Sequence, residues 1–355
     1  MSNGIPSRYI PTGKILHGGM GEVLVCEDTN LERQVVIKFI QDVKDQRRLF
    51  DEITALQNIR SKHVVQIFDI FLNEIDRRIG IVQEYVPGSD LVNCMENSIS
   101  EPEYLKILYQ IICGICDIHA QGLIHRDIKP NNMKFDQSNI IKIFDFGLAR
   151  FSGKNDSTLG FTGTPGFSAP ELYRSGITPF TNTVDVYAFG VTAWYLSGTK
   201  LPDDLLRRPP NLKNRPSFSS LSLQIPSKIL EILDRSLSEN VLERPSASEI
   251  KELIGNYLLF GKHRGLIVAG DQQYILENIN QTAKLDFDNV SLHIKYDGLQ
   301  FVVDFAKGAV YINNTPVESG NYLPQNCVIT LGSSSDNSEI RRFITFDISN
   351  PEVVL

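Results

Sequence analysis

Apolar positions change their spacing near residue 260. Before that point, runs that suit strands alternate with runs that suit helices. Residues 14–38 predict a hairpin and a third strand: two apolar stretches flank a glycine-rich turn, and Val35-Val36-Ile37-Lys38 follows. Leu49, Ile53, Leu56 and Ile59 fall at three- and four-residue steps and predict a helix over 42–59. Strands are expected at 64–72 and 79–84, a long apolar helix at 104–120, a short strand at 139–144 and a closing helix at 247–259. Residues 200–227, rich in Pro, Ser, Asn and Arg, read as a surface loop. After a short break at 260–265 only brief strand-like runs remain, at 266–269, 272–277, 292–296, 300–305, 310–312 and 328–331. Asp297-Gly298 and Asn313-Asn314 supply tight turns between them. The second part therefore has the pattern of an all-β sandwich. Two domains are expected, an α+β domain over 1–260 and a small all-β domain over 265–355.

Composition agrees with two folded cores: 42% of the 355 residues are hydrophobic and 22% charged. No run approaches the ~18 apolar residues of a membrane helix, and the first residues lack the basic-then-apolar order of a secretory signal. Five cysteines, odd in number and scattered, point to reduced thiols and a cytoplasmic location, and with no apolar run of membrane length no membrane association is expected. Cys113 and Cys116 match C-x-x-C, but they lie inside the apolar helix with no second pair. They read as core packing rather than a redox or metal site. The net charge is −7, and from His263 onward six Lys/Arg face eleven Asp/Glu. Without a basic face, no nucleic-acid partner is expected.

One stretch carries chemistry. His125-Arg126-Asp127-Ile128-Lys129-Pro130-Asn131-Asn132 is followed closely by Asp145-Phe146-Gly147. Phosphoryl transfer from ATP needs an acceptor for the hydroxyl proton, a cation at the moving phosphate and oxygen ligands for a divalent metal. Asp127 is the candidate base, Lys129 the cation, and Asn132 and Asp145 the metal ligands. Upstream, the turn Ile15-Leu16-His17-Gly18-Gly19-Met20-Gly21-Glu22-Val23 would let backbone approach phosphates, and Lys38 ends the next strand at the right distance to contact them.

Together these motifs resemble a Hanks-type serine/threonine protein kinase of the bacterial kind, over residues 9–259, about seventy per cent of the chain. The resemblance implies a bilobal kinase fold, ATP with Mg2+ (or Mn2+ in its place) and protein substrates. It places ATP against Leu16, Gly18, Gly19, Gly21 and Val23, with Lys38 on the α- and β-phosphates and Glu52 holding Lys38. Adenine would meet backbone near Glu84 and Val86, with Gln83 at the gatekeeper position. Leu16 stands where the family has its first glycine, which would stiffen the loop edge and weaken ATP affinity. Residues 145–171 resemble an activation segment. Thr158 and Thr162 are its candidate regulatory phosphosites, their phosphate pairing with Arg126. Thr164 would bond the base and Lys129, as in serine/threonine members. Asp185 would brace the catalytic loop, and Glu171 would pair with Arg244. The segment end at 163–171 resembles a peptide-binding platform, which argues against a small-molecule kinase. A second reading is a pseudokinase scaffold acting through its β-domain. The presence of Lys38, Asp127, Asn132 and Asp145 argues against it.

Residues 265–355 resemble a forkhead-associated (FHA) domain on Val290-Ser291-Leu292-His293, Phe301-Val302-Val303-Asp304, Tyr311-Ile312-Asn313-Asn314-Thr315-Pro316-Val317 and Val328-Ile329-Thr330-Leu331-Gly332. An intact domain of that kind reads phosphothreonine through an arginine, a serine and an asparagine. Here those positions fall near Glu277, at Val290 and at Gly308. A module that docks a protein partner or regulates is expected in preference to a phosphothreonine reader, with His293 in its core.

Overall fold

Val35 and Ile37 are fully buried and Val36 nearly so, which only a central strand allows. That strand is β3 (Arg33–Ile40), in the middle of a five-stranded sheet. β1 (Tyr9–Gly18) and β2 (Gly21–Asp28) lie on one side of it, β5 (Ile79–Glu84) and β4 (Ile67–Leu72) on the other. In this computed structural model the described residues are 4–18, 21–40, 54, 56–73, 75–76, 78–88, 90–92, 99–145, 150–151, 164–173, 181–213, 215, 217–222, 224–333, 341–349 and 351–353. The chain divides into two units, Met1–Ile254 (with Leu355) and Gly255–Val354.

β1 begins five residues before the expected hairpin. A register shift between Pro11 and Ile15 interrupts its alternation and hides its first half from a periodicity reading. The 64–72 run is shorter as a strand than expected: Val64 makes only an isolated bridge with Ile143, and pairing with β5 starts at Ile67. Most of the helix expected over 42–59, Glu52 included, lies outside the described residues; Thr54, Leu56 and Gln57 are helical.

The helical part is built on α1 (Glu101–Ala120). It starts one turn before the apolar pattern, because Glu101, Pro102 and Glu103 form a polar first turn suited to a helix N-terminus. Gly114 lets it close on its neighbours: a Cβ there would lie 2.8 Å from Ile143 Cδ1 and 3.0 Å from the His63 carbonyl. Cys113 and Cys116 sit on this helix as free thiols, and burial raises both, Cys113 to about 11. After the short β6 (Leu123–Ile124), β7 (Met133–Phe135) and β8 (Ile141–Ile143) form a hairpin, the second of them narrower than the 139–144 run because Asn139 takes a turn conformation at φ 60°. β9 (Arg150–Phe151) pairs with β6. Then come α2 (Thr183–Leu196), buried almost all round, α3 (Asp203–Leu206), α4 (Ser227–Ser236) and α5 (Ala247–Leu259). No described helix is long and apolar enough to cross a membrane.

His63 gives the first unit an acid-sensitive point. Its ring is buried, Nδ1 lies 3.2 Å from the Ile141 carbonyl, and Nε2 has no hydrogen-bond partner among the described residues. Burial pulls its pKa down to about 4. The unfolded chain therefore takes up this proton first, and stability falls as pH drops from about 6.5 to about 4, by at most about 3 kcal/mol. Urea midpoints at pH 5 and pH 7 test this. His63→Leu should flatten the difference whatever its absolute stability, and an unchanged difference would contradict the assignment.

The second unit is all β. One sheet has the order β11 (Gln272–Leu276), β10 (Arg264–Ala269), β18 (Arg342–Ser349), β17 (Asn326–Leu331), β15 (Val310–Ile312), β16 (Thr315–Pro316). The other holds β12 (Thr282–Phe287), β13 (Val290–Tyr296) and β14 (Phe301–Lys307). Their inward residues share one core, in which Tyr296 and Phe301 stack at 4.8 Å and Phe346 meets Phe301 edge-on. Asn313 and Asn314, at φ 49° and 64°, make the two-residue turn between β15 and β16. β12 and β18 were not expected from the pattern: in β12 the charged Lys284 and Asp286 stand at the outward positions, and in β18 the apolar Phe343 is exposed, which blurs the alternation. His293 is not in the core: it lies on the outward face of β13, beside Asp286 at 3.5 Å and against the Phe305 ring.

Candidate active site

Asp127 is almost fully buried and receives three contacts. Thr164 Oγ1 donates to its Oδ1 at 2.7 Å, Asn132 Nδ2 donates to its Oδ2 at 2.7 Å, and Lys129 Nζ lies 2.8 Å from Oδ2. Lys129 also donates to Thr164 Oγ1 at 2.5 Å, so lysine, threonine and carboxylate form a closed set. Burial alone would raise the Asp127 carboxyl; Lys129, Thr164 and Asn132 outweigh it and hold the group below the usual carboxylate range. Of the expected residues, the fold thus joins Asp127, Lys129, Asn132 and Thr164, although Thr164 is far along the chain from the others.

The loop that carries Asp127 is tied down from below. Arg126 has φ 69°, an unfavourable conformation for a side chain of its size, and the backbone N–H groups of His125 and Arg126 both donate to the buried Asp185, each at 2.8 Å. His119 Nε2 lies 2.9 Å from the same carboxylate. Burial opposes the Asp185 charge, but His119 and these amides keep the group below its ordinary value. His125 accepts the Asp127 N–H at Nδ1, 3.3 Å, which leaves the proton on Nε2 to donate to the Phe144 carbonyl at 3.2 Å. This is the neutral form, and burial of the ring favours it. His119 was not singled out from sequence; nothing local in the helix marks it.

Asp145 follows β8 at φ 70°, and its Oδ1 pairs with Lys38 Nζ from β3. The expected Lys38–Glu52 pair lies outside the described residues. So do Gly19, Phe146, Gly147, Thr158 and Thr162. Leu16 faces Val23 in the β1–β2 register, Gly18 faces Gly21, and Val23 faces Lys38 across β2–β3. Beyond the sheet, Val86 is buried, while the Glu84 carboxylate is engaged by Lys142 Nζ at 2.9 Å and the Gln66 N–H at 3.1 Å. The Lys142 contact was missed; a lysine between Ile141 and Ile143 in a short strand was its only signal.

Asn132 uses its amide nitrogen on Asp127, both at the carboxylate and at the backbone carbonyl, 2.8 Å, so its oxygen is the group left to meet a cation. With the Asp145 carboxylate this makes a pair of hard oxygen ligands. Such a pair suits a metal that arrives with phosphate oxygens and water, rather than one held in an all-protein cage. The segment that brings Thr164 is anchored at its far end: Arg244 forms a two-pronged contact with Glu171, 2.6 and 2.9 Å, both side chains being buried. Ser168 Oγ donates to the Thr164 carbonyl at 2.9 Å.

In the second unit, the three positions compared with phosphothreonine contacts offer no matching side chain. Glu277 is exposed and lies 3.7 Å from Arg264, while Val290 packs against Gly308, where a Cβ would be 3.0 Å from Val290 Cγ2.

Comparison with known proteins gives a match to the family model described as Protein kinase domain over residues 9–253. Among curated relatives, the serine/threonine-protein kinase stk11 homolog of Dictyostelium discoideum is 29% identical over 211 residues, 55% of this chain and 36% of its own length. Calcium-dependent protein kinase 6 of Plasmodium berghei is 30% identical over 252 residues, 68% of this chain and 17% of its own. Serine/threonine-protein kinase pkn3 of Myxococcus xanthus is 28% identical over 273 residues, 69% and 49%. The chain spans less than half the length of each of these relatives.

Proposed function

The chain belongs to the protein kinase family, and on that premise we propose that it is a serine/threonine protein kinase of the bacterial Hanks type, moving the γ-phosphoryl group of ATP to Ser and Thr hydroxyls of proteins. The observation that carries this reading is the closed set of Asp127, Lys129, Thr164 and Asn132. An ionised, buried carboxylate ringed by donors can orient an acceptor hydroxyl and take its proton. Lys129 stands beside the place where phosphate charge moves. Lys38 would turn to the α- and β-phosphates, and backbone at Glu84 and Val86 would hold adenine. Asn132 and Asp145 would hold Mg2+, or Mn2+ in its place, which when bound supplies charge neutralisation at the phosphates. Positioning and fixed charge are the protein's main contributions.

Leu16, two residues before the end of β1, is the departure from the family pattern that affects ATP. Leu16→Gly should lower the KM for ATP by about two- to fivefold, with kcat little changed. Initial rates at varied ATP measure this, and an unchanged KM would remove the assigned role.

The β unit is proposed as an FHA-like docking or regulatory module for a protein partner. Glu277, Val290 and Gly308 support this over phosphothreonine recognition. Thr158 and Thr162 are proposed sites of autophosphorylation, and the location is proposed to be cytoplasmic. Incubation of the full chain with ATP and Mg2+, with phosphosite mapping, tests the transfer and its switch. Titration of residues 265–355 with phosphothreonine peptides should give no tight complex.

A further inference from the structure

A short ridge stands beside the segment that carries Thr164. Gly166, two residues on, takes φ +90°, and a Cβ on it would lie 3.1 Å from Leu206 Cδ2. Two residues of extended chain span at most about 7 Å. The end of α3 is therefore within a few residues' length of the Asp127 carboxylate. Arg207 and Arg208 follow Leu206 directly, and all three are exposed.

The ridge is held in shape by its own contacts. Leu205 is buried, as is Pro210. The Asn211 N–H donates to the Asp204 carbonyl at 2.9 Å, and Asn211 Nδ2 donates to Asp204 Oδ1 at 3.3 Å. These bonds close the loop and leave the two arginines on its outside. The carboxylates close by are already engaged: Asp203 lies 3.6 Å from Lys200, Asp204 lies 3.4 Å from Arg207, and Glu171 is buried on Arg244. Among the described residues no carboxylate is within ion-pair distance of Arg208. Its charge is felt at Tyr173, in the same segment as Thr164, where it opposes the rise that burial imposes on the phenol. Lys213 adds a further exposed cation to the loop.

We propose that Arg208, with Arg207 beside it, selects protein substrates that carry an acidic side chain within about three residues of the acceptor hydroxyl. This rests on the kinase reading of the Asp127 site and names the substrate class for it. A carboxylate on the bound segment would meet a guanidinium that has no carboxylate partner among the described residues, a charge-assisted contact that a neutral residue does not make. A lysine at the same place would be repelled.

Peptide binding tests this without requiring turnover. Fluorescein-labelled peptides with one central serine, and Glu, Ala or Lys placed in turn at each of the three positions on either side, are titrated with the full chain and followed by anisotropy. At one or more positions Glu should bind about two- to fivefold more tightly than Ala, and Lys more weakly than either. In Arg208→Gln the Glu preference should disappear, and in Arg208→Glu it should reverse in favour of Lys. The side chain is exposed, so neither change should unfold the protein, and circular dichroism checks that. Equal affinity for Glu and Ala at every position, or a preference unchanged in both variants, overturns the proposal. Phosphoryl transfer to the same peptides is measured in parallel. Transfer without acidic preference would sink the ridge and leave the kinase reading standing. Acidic preference without transfer would overturn the kinase reading, and substrate selection with it, and leave the ridge only as a binding surface for acidic segments.

Discussion

Asp127→Asn should lower kcat for peptide phosphorylation by about 10²–10⁴-fold, with the KM for ATP nearly unchanged. The asparagine is close in volume, and its oxygen can still accept from Thr164. Its nitrogen, however, faces Lys129 Nζ and Asn132 Nδ2, both donors. The substitution thus removes the proton acceptor and sets donor against donor in a buried site. Asp127 is held below the ordinary carboxylate range, so it stays ionised above that range. Loss of its own charge should therefore produce no fall in wild-type rate down to about pH 5. Steady-state kinetics of both proteins across pH measure these effects. A variant within tenfold of wild type would mean that Asp127 is not the group that receives the proton.

Arg244→Leu should destabilise the first unit by about 3–5 kcal/mol. Glu171 would be left buried without its two-pronged partner, and the bonds from Arg244 to the Ser238 and Thr183 carbonyls would go too. The double variant Glu171→Leu with Arg244→Leu removes the stranded charge and should recover part of the loss. The pair also closes the segment that begins at Thr164, so the single variant should lose activity in proportion to its folded fraction. Chemical denaturation of the three variants and wild type provides the comparison. A double variant no more stable than the single one would show that stranding of Glu171 is not the cause.

Much of this was legible along the chain because the chemistry is local. Asp127, Lys129 and Asn132 lie within six consecutive residues, and a loop of that kind can be read as a string. Val35-Val36-Ile37 announced a central strand by being apolar on both faces. Contacts between distant segments were harder to see. Thr164 was found only because its G-T-P setting resembles a family motif, while His119 on Asp185 and Lys142 on Glu84 carry no motif. At the level of elements, the first half of β1 was hidden by its irregular register, β12 by charged residues on its outward face, and β18 by an exposed phenylalanine, Phe343, on its outward face. His293 was placed inside because histidine beside apolar neighbours suits a core. Strand alternation from the buried Leu292 and Ile294 puts it outside.

The most direct test is transfer from γ-labelled ATP with Mg2+ by the full chain, followed by phosphoamino-acid analysis of a mixed protein substrate and of the chain itself. The proposal predicts label on serine and threonine, little on tyrosine, and none above background with Asp127→Asn. Absence of label with wild type under any metal, or label mainly on tyrosine, would contradict it.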